Sequence, residues 1–198
     1  MIVTESNEGT KLYLLVGGKG ERLSSVTKGK PKPLVDVNDR PFINYVLDSL
    51  KGFDITLVCS KDTYWDFEGY KNLGIDVISE GERAGTGGFL MKIAEDAPDS
   101  FYVMNGDSYF TGDLNLDVDK STVFVAEELI ADDVGYIRGK NGKVEEFVEK
   151  DPTATGYKLV NLGFYKFYKK DITLPMRLPI SIEYDILPNM ELEYKVLN

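Results

Sequence analysis

Short apolar runs, punctuated by glycine, proline and asparagine, recur along this chain. Residues 12–16 (Leu-Tyr-Leu-Leu-Val) are continuously apolar rather than alternating, and Gly17-Gly18 stops them abruptly. A short unbroken run bounded by glycine predicts a strand buried on both faces, as in a parallel sheet. Residues 54–59 and 74–79 read the same way, and Phe101-Tyr102-Val103-Met104 predicts a fourth strand. Between the first two, Phe42, Ile43, Val46, Leu47 and Leu50 recur at helical spacing. Residues 41–50 are therefore expected to form a helix that buries those side chains. The alternation predicts an α/β chain: a mostly parallel sheet with helices on both faces.

The second half has a different pattern. Asn141-Gly142 lies between strand-like runs within residues 134–149, a strong hairpin signal. Residues 158–168 are rich in Val, Phe and Tyr and predict another strand. Phe164, Tyr165, Phe167 and Tyr168 are expected to pack rather than to stack on a base. Together these predict a small antiparallel insertion on the parallel sheet. No repeat, low-complexity tract or linker interrupts the chain, so residues 1–198 are expected to form one domain.

Composition removes several kinds of chemistry. There is no histidine, which excludes Ser-His and Cys-His nucleophiles and histidine metal sites. Cys59 is the single cysteine and sits in an apolar segment, so a buried inert thiol is expected. The net charge is −10, from 23 basic and 33 acidic residues, which argues against a general nucleic-acid surface. No apolar run is long enough to span a bilayer, and the first residues lack a signal-peptide pattern, so a cytoplasmic location is expected.

Against that acidic background, the first glycine loop gathers cations. Gly17-Gly18-Lys19-Gly20 follows the first strand, Arg22 comes next, and Lys32 is held between Pro31 and Pro33. Glycine brings backbone N–H groups close to a ligand, and flanking prolines restrict the backbone that carries Lys32. Bare amides and two fixed cations suit a polyanion such as a triphosphate. The dinucleotide fingerprint fails, because Leu23 stands where its third glycine is required. The Walker A loop fails as well, since neither Gly18-Lys19 nor Gly29-Lys30 is followed by Ser or Thr.

The pattern Gly-Gly-x-Gly-x-Arg-Leu followed by Pro-Lys-Pro-Leu resembles the sugar-1-phosphate nucleotidylyltransferases, and further motifs carry the resemblance to about Pro188. These enzymes join a nucleoside triphosphate to a sugar 1-phosphate and release pyrophosphate. The resemblance implies a Rossmann-like nucleotide-diphospho-sugar transferase fold with Mg²⁺ as cofactor. It implies that Gly17, Gly18 and Gly20 cradle phosphates, with Arg22 and Lys32 as catalytic cations. Asn105-Gly106-Asp107 follows the fourth strand, where open α/β sheets gather ligands. The triplet is also turn-forming, but by resemblance Asp107 is the metal ligand. Residues 82–88 resemble the segment that holds base and ribose, implying roles for Glu82, Gly85, Thr86 and Gly87; otherwise Thr86 would simply cap a helix. Glu149-Lys150 and Asn161-Leu162-Gly163 resemble the sugar-phosphate pocket. Ser181-Ile182-Glu183-Tyr184-Asp185 resembles a late family element, although Ser181 could also be a helix cap. The phrasing of these motifs looks closest to the heptose and mannose 1-phosphate guanylyltransferase branch.

Two departures stand out. Glu21 replaces the usual Thr or Ser, and a carboxylate there repels phosphate unless it turns away or meets the metal. The family's second metal carboxylate lies near where this chain ends, leaving Asp185 or Asp113 as substitutes to test. That gap keeps open a non-catalytic nucleotide-binding subunit, and Asp117-Val118-Asp119 has the form of a glycosyltransferase Asp-x-Asp motif. A homodimer is the default assembly expected.

Overall fold

The computed structural model describes residues 9–18, 27, 29–81, 84–111, 114–127, 134–149 and 159–197. Its strands are β1 (Lys11–Leu15), β2 (Asp36–Val37), β3 (Arg40–Pro41), β4 (Asp54–Cys59), β5 (Asp76–Ser79), β6 (Ser100–Asn105), β7 (Thr122–Glu127), β8 (Gly135–Lys140), β9 (Lys143–Glu149), β10 (Leu159–Tyr168) and β11 (Glu193–Val196). The described α-helices are α1 (Phe42–Ser49), α2 (Tyr64–Phe67) and α3 (Phe89–Ile93). The chain divides into two compact units, Met1–Ala84 with Met104–Asp117, and Gly85–Val103 with Val118–Asn198.

In the first unit, β1 pairs parallel with β4, and β4 pairs parallel with β5. Leu12, Tyr13 and Leu14 are all buried, so side chains pointing to both faces of β1 are covered. That is the parallel-sheet environment its continuous apolar run predicts. The predicted helix forms over Phe42–Ser49, with Ile43 and Val46 buried along its inner face. Past Asn105 the chain runs beside β1, where the Gly106 N–H donates to the Leu15 carbonyl at 2.8 Å.

The described helices are short, at eight, four and five residues. Between β4 and β5, α2 passes straight into a 3₁₀ turn, Glu68–Leu73. Gly74 ends that turn at φ 79°, a left-handed conformation that glycine adopts without strain.

In the second unit, β10 pairs antiparallel with β7 and β8, and β8 pairs antiparallel with β9. The hairpin falls on Asn141-Gly142 as predicted, with φ of 51° and 78°. Positive φ at both central residues gives the twist that joins antiparallel strands through two residues. The predicted strand at residues 158–168 is β10. Its Phe164, Tyr165 and Phe167 are fully buried. Phe164 lies 4.9 Å from Phe124 between ring centroids, and Phe167 lies 6.2 Å edge-on from Phe101. These three pack, as expected, while Tyr168 is half-buried with the Lys166 ammonium 5.6 Å from its ring centroid.

Four of the described strands, β2, β3, β7 and β11, lay outside the sequence reading. β11 pairs parallel with β7 and touches β9 antiparallel, so it occupies an interior position in the sheet. Its residues alternate charged and apolar, Glu193-Tyr194-Lys195-Val196, and all four are half-buried.

Candidate functional site

The Lys32 ammonium lies 3.7 Å from the Asp107 carboxylate. Two independent features of the sequence bring them together. Lys32 opens a 3₁₀ turn, Lys32–Leu34, with Pro31 before it and Pro33 within it. Both prolines are buried, so the turn is anchored on either side of the lysine while its side chain stays partly in solvent. Asp107 sits two residues past β6, beyond a close approach of two backbones. A Cβ on Gly106 would meet the Leu15 carbonyl oxygen at 2.7 Å, so only glycine lets the chain pass there.

The Asp107 side chain is 57% exposed and that of Lys32 is 30% exposed. An ion pair this open contributes about 0–1 kcal/mol. At 3.7 Å it is not a close hydrogen bond. Phosphate oxygens can therefore take Lys32 from Asp107 at little cost.

The two described glycines of the first loop divide the work. Gly17 is where the chain passes close to the end of β4: a Cβ would meet the Ser60 nitrogen at 2.6 Å. Gly18 is exposed, and a Cβ there would meet nothing within 4 Å. Packing thus excludes a side chain at Gly17, whereas Gly18 lies open to solvent. Gly20 and Arg22 lie outside the described residues, as does Glu21.

In the second unit, residues 86–88 form a turn leading into α3. Gly85 has φ 76°, and a Cβ on it would meet the Ile180 carbonyl oxygen at 2.3 Å. The Gly87 N–H donates to that same carbonyl at 2.8 Å. Thr86 does not cap the helix, since α3 starts at Phe89 with Gly88 before it and no side-chain cap. The Thr86 hydroxyl instead donates to Glu183 Oε2 at 2.9 Å and accepts from the Ile182 N–H at 2.9 Å. Ser181 does cap, accepting from the Tyr184 N–H at the start of the π-helical turn Ile182–Ile186. Glu82 lies outside the described residues.

Asn161 and Gly163 stand at a bulge in β10, where the register with β7 shifts between Asn161 and Phe164. The Asn161 amide is held inside its own strand: Nδ2 donates to the Tyr165 hydroxyl at 2.8 Å, and Oδ1 accepts from the Gly163 N–H at 3.0 Å. Glu149 closes β9, where the structure describes its backbone and pairs it with Gly135. Lys150 lies outside the described residues.

The substitutes considered for a second metal carboxylate fare differently. Asp185 is committed elsewhere: Oδ1 accepts from Arg177 at 2.7 Å and Oδ2 from the Ser181 N–H at 2.8 Å. Asp113 lies outside the described residues. Among the described residues no group of three or more acidic or cysteine side chains could hold a metal. Asp107 alone fits a hard cation that brings phosphate oxygens and waters as its other ligands. Asp117 and Asp119, the Asp-x-Asp pair, are both exposed in irregular chain, and the Asp117 N–H donates to Asn115 Oδ1 in a local turn.

Cys59 is fully buried, and burial pushes its thiol up to about 11. The thiol donates to the Ile78 carbonyl at 3.3 Å, which makes it the inert core residue expected.

The chain belongs to the Nucleotidyl transferase family, whose model matches residues 11–178. It is 32% identical over 203 residues to the protein named probable mannose-1-phosphate guanylyltransferase 1 of Oryza sativa subsp. japonica, covering 91% of this chain and 56% of that one. It is 34% identical over 122 residues to D-glycero-alpha-D-manno-heptose 1-phosphate guanylyltransferase of Campylobacter jejuni, covering 57% and 55% of the two chains. The structure matches that of HddC from Yersinia pseudotuberculosis complexed with GMP-PN, with a TM-score of 0.74, 28% identity, and 94% and 90% of the two chains covered. The resemblance to the sugar-1-phosphate nucleotidylyltransferases and the α/β mixed-sheet fold drawn from the motifs are borne out. The chain spans about half the length of the curated relatives it matches. Among the described residues no helix is long and apolar enough to cross a membrane.

Proposed function

We propose that this chain transfers a nucleotidyl group from a nucleoside triphosphate to a sugar 1-phosphate, giving a nucleotide-sugar and pyrophosphate. The observation that carries the proposal is the Lys32–Asp107 pair, held between two buried prolines and a close backbone crossing. The guanylyltransferase names of the relatives and the GMP-PN bound to HddC support GTP as the triphosphate and a mannose-type or heptose-type sugar 1-phosphate as the acceptor.

The reaction in this reading is in-line attack by a sugar 1-phosphate oxygen on the α-phosphorus, with pyrophosphate leaving on the opposite side. The nucleophile is already anionic, so no general base is required, in keeping with a chain that has no histidine. Rate then comes from positioning and from neutralising phosphate charge. Lys32 neutralises charge at the α-phosphate, Arg22 binds the leaving phosphates, and the Gly18 amide faces the phosphate chain. Asp107 holds Mg²⁺, which when bound screens the charge on the phosphate oxygens. Gly85, Thr86 and Gly87, with Glu82, hold the base and ribose. Glu149, Lys150, Asn161 and Gly163 take the sugar phosphate. A cytoplasmic location and a homodimer complete the reading.

Pyrophosphate release, with Mg²⁺ and each triphosphate crossed against a panel of sugar 1-phosphates, tests it. Release from one pair is expected, GTP being the triphosphate. Lys32→Ala is expected to lower kcat by about 100-fold or more while raising KM by much less. Near-normal turnover in that variant, or no release from any pair, would overturn the assignment. A glycosyltransferase reading has no comparable support, because its Asp-x-Asp pair lies in exposed, irregular chain.

A further inference from the structure

We propose that Glu183 is a positioning residue for the triphosphate: through Thr86 it sets the conformation of the turn at residues 85–88. The inference rests on the proposed role of that turn in holding base and ribose. It goes beyond that role by naming a residue nearly a hundred positions away that governs it.

Glu183 Oε2 accepts two hydroxyl hydrogen bonds, from Thr86 Oγ1 at 2.9 Å and from Ser181 Oγ at 2.8 Å. Each hydroxyl has one proton, and both spend it on this oxygen. Their lone pairs are thereby left to accept from backbone: Thr86 from the Ile182 N–H at 2.9 Å, and Ser181 from the Tyr184 N–H at 3.1 Å. The carboxylate therefore fixes the direction of every bond in the network. Bonds to a charged acceptor are also the stronger kind.

The turn has little else to hold it in register. Gly85, Gly87 and Gly88 contribute no side chain, so Thr86 is the one residue of the four with a side chain that can grip a neighbour. On the other side, Gly87 N–H donates to the Ile180 carbonyl, which a Cβ on Gly85 would strike at 2.3 Å. The turn is thus seated on residues 180–183 by backbone contact and locked to them by one hydroxyl. A glycine-rich turn without that lock would sample more conformations, and a ligand reading its amides would meet the binding geometry less often. The lock should act on the nucleotide and leave the sugar phosphate alone.

The test measures GTP affinity by calorimetry, together with KM for GTP and for the sugar 1-phosphate. The proteins are the wild type, Glu183→Ala, Glu183→Gln, Thr86→Val and the double variant Thr86→Val/Glu183→Ala. Removing a charge-assisted bond is expected to weaken GTP binding about tenfold in Glu183→Ala and in Thr86→Val. The double variant should be no weaker than either single one, because both break the same link. Glu183→Gln keeps an acceptor oxygen and should recover most of the loss. KM for the sugar 1-phosphate should stay within about twofold. Circular dichroism melts identify any variant that fails to fold, and Glu183→Gln, which changes no volume, keeps the comparison informative. Wild-type GTP affinity in Glu183→Ala overturns the proposal while the nucleotide reading stands. Additive losses, or equal rises in both KM values, also overturn it, since they signal a general structural role. A wild-type protein that binds no GTP overturns the nucleotide reading itself.

Discussion

Gly17 and Gly18 are adjacent and identical in kind, yet their surroundings differ. A methyl on Gly17 would drive into the backbone at Ser60, whereas Gly18 opens to solvent. A glycine loop read from sequence mixes these two reasons, and only the packed neighbour separates them. Gly106 belongs with Gly17, since its missing Cβ lets the chain cross Leu15 and carry Asp107 past the end of β6. Gly106→Ala forces backbone against backbone, and overpacking of this sort costs about 1–3 kcal/mol. The variant is expected to melt several degrees lower and to lose turnover out of proportion to its loss of fold, because Asp107 is the next residue. A variant that melts lower but turns over normally would show that Asp107 needs no such placement. Thr86 and Asp185 carry the complementary lesson. Each looked free to serve as cap or ligand, and each is committed to a partner that local sequence does not reveal.

Among the elements, the legible ones were those with local causes. β1 announced itself by an unbroken apolar run, β4 by a mostly apolar one, α1 by its spacing, and the β8–β9 hairpin by Asn141-Gly142. Between β4 and β5 the chain forms one helical turn and a 3₁₀ continuation. Gly69 and Gly74 there disfavour a longer helix. β11 escaped notice because half its residues are charged, and charge in an interior strand runs against strand composition. The Lys120 ammonium meets the Glu193 carboxylate at 2.6 Å, which lets that charge sit in the sheet. The start of β7 is tied to the end of β10 through Ser121. This buried hydroxyl donates to Asp171 at 2.7 Å and accepts from the Tyr168 N–H at 2.9 Å. Ser121→Ala strands both partners and is expected to destabilise the protein by about 1–3 kcal/mol in urea unfolding. A change below a few tenths of that would mean water replaces the hydroxyl.

For the molecule as a whole, the acidic excess is the dominant electrostatic fact. A net charge of −10 on 198 residues disfavours the compact state by self-repulsion at neutral pH. Ion pairs such as Arg40 with Asp48 and Arg138 with Glu146 are exposed and contribute little individually. Screening should therefore help more than it harms. The urea midpoint at pH 7 is expected to rise between 10 mM and 200 mM sodium chloride, as the Debye length falls from about 30 Å to below about 8 Å. A falling midpoint would mean that the ion pairs outweigh the net repulsion. By itself, the sequence determined whatever depends on a few neighbouring residues: buried strands, the hairpin turn, the proline-held Lys32 and the post-strand Asp107. These follow from steric limits on the backbone and from short-range periodicity. Only the tertiary structure decided which distant groups meet, such as Thr86 with Glu183 across 97 positions, or β11 beside β7. Such pairings arise because the sheet buries its apolar faces collectively and satisfies the polar groups that burial strands, conditions that no single stretch of chain encodes.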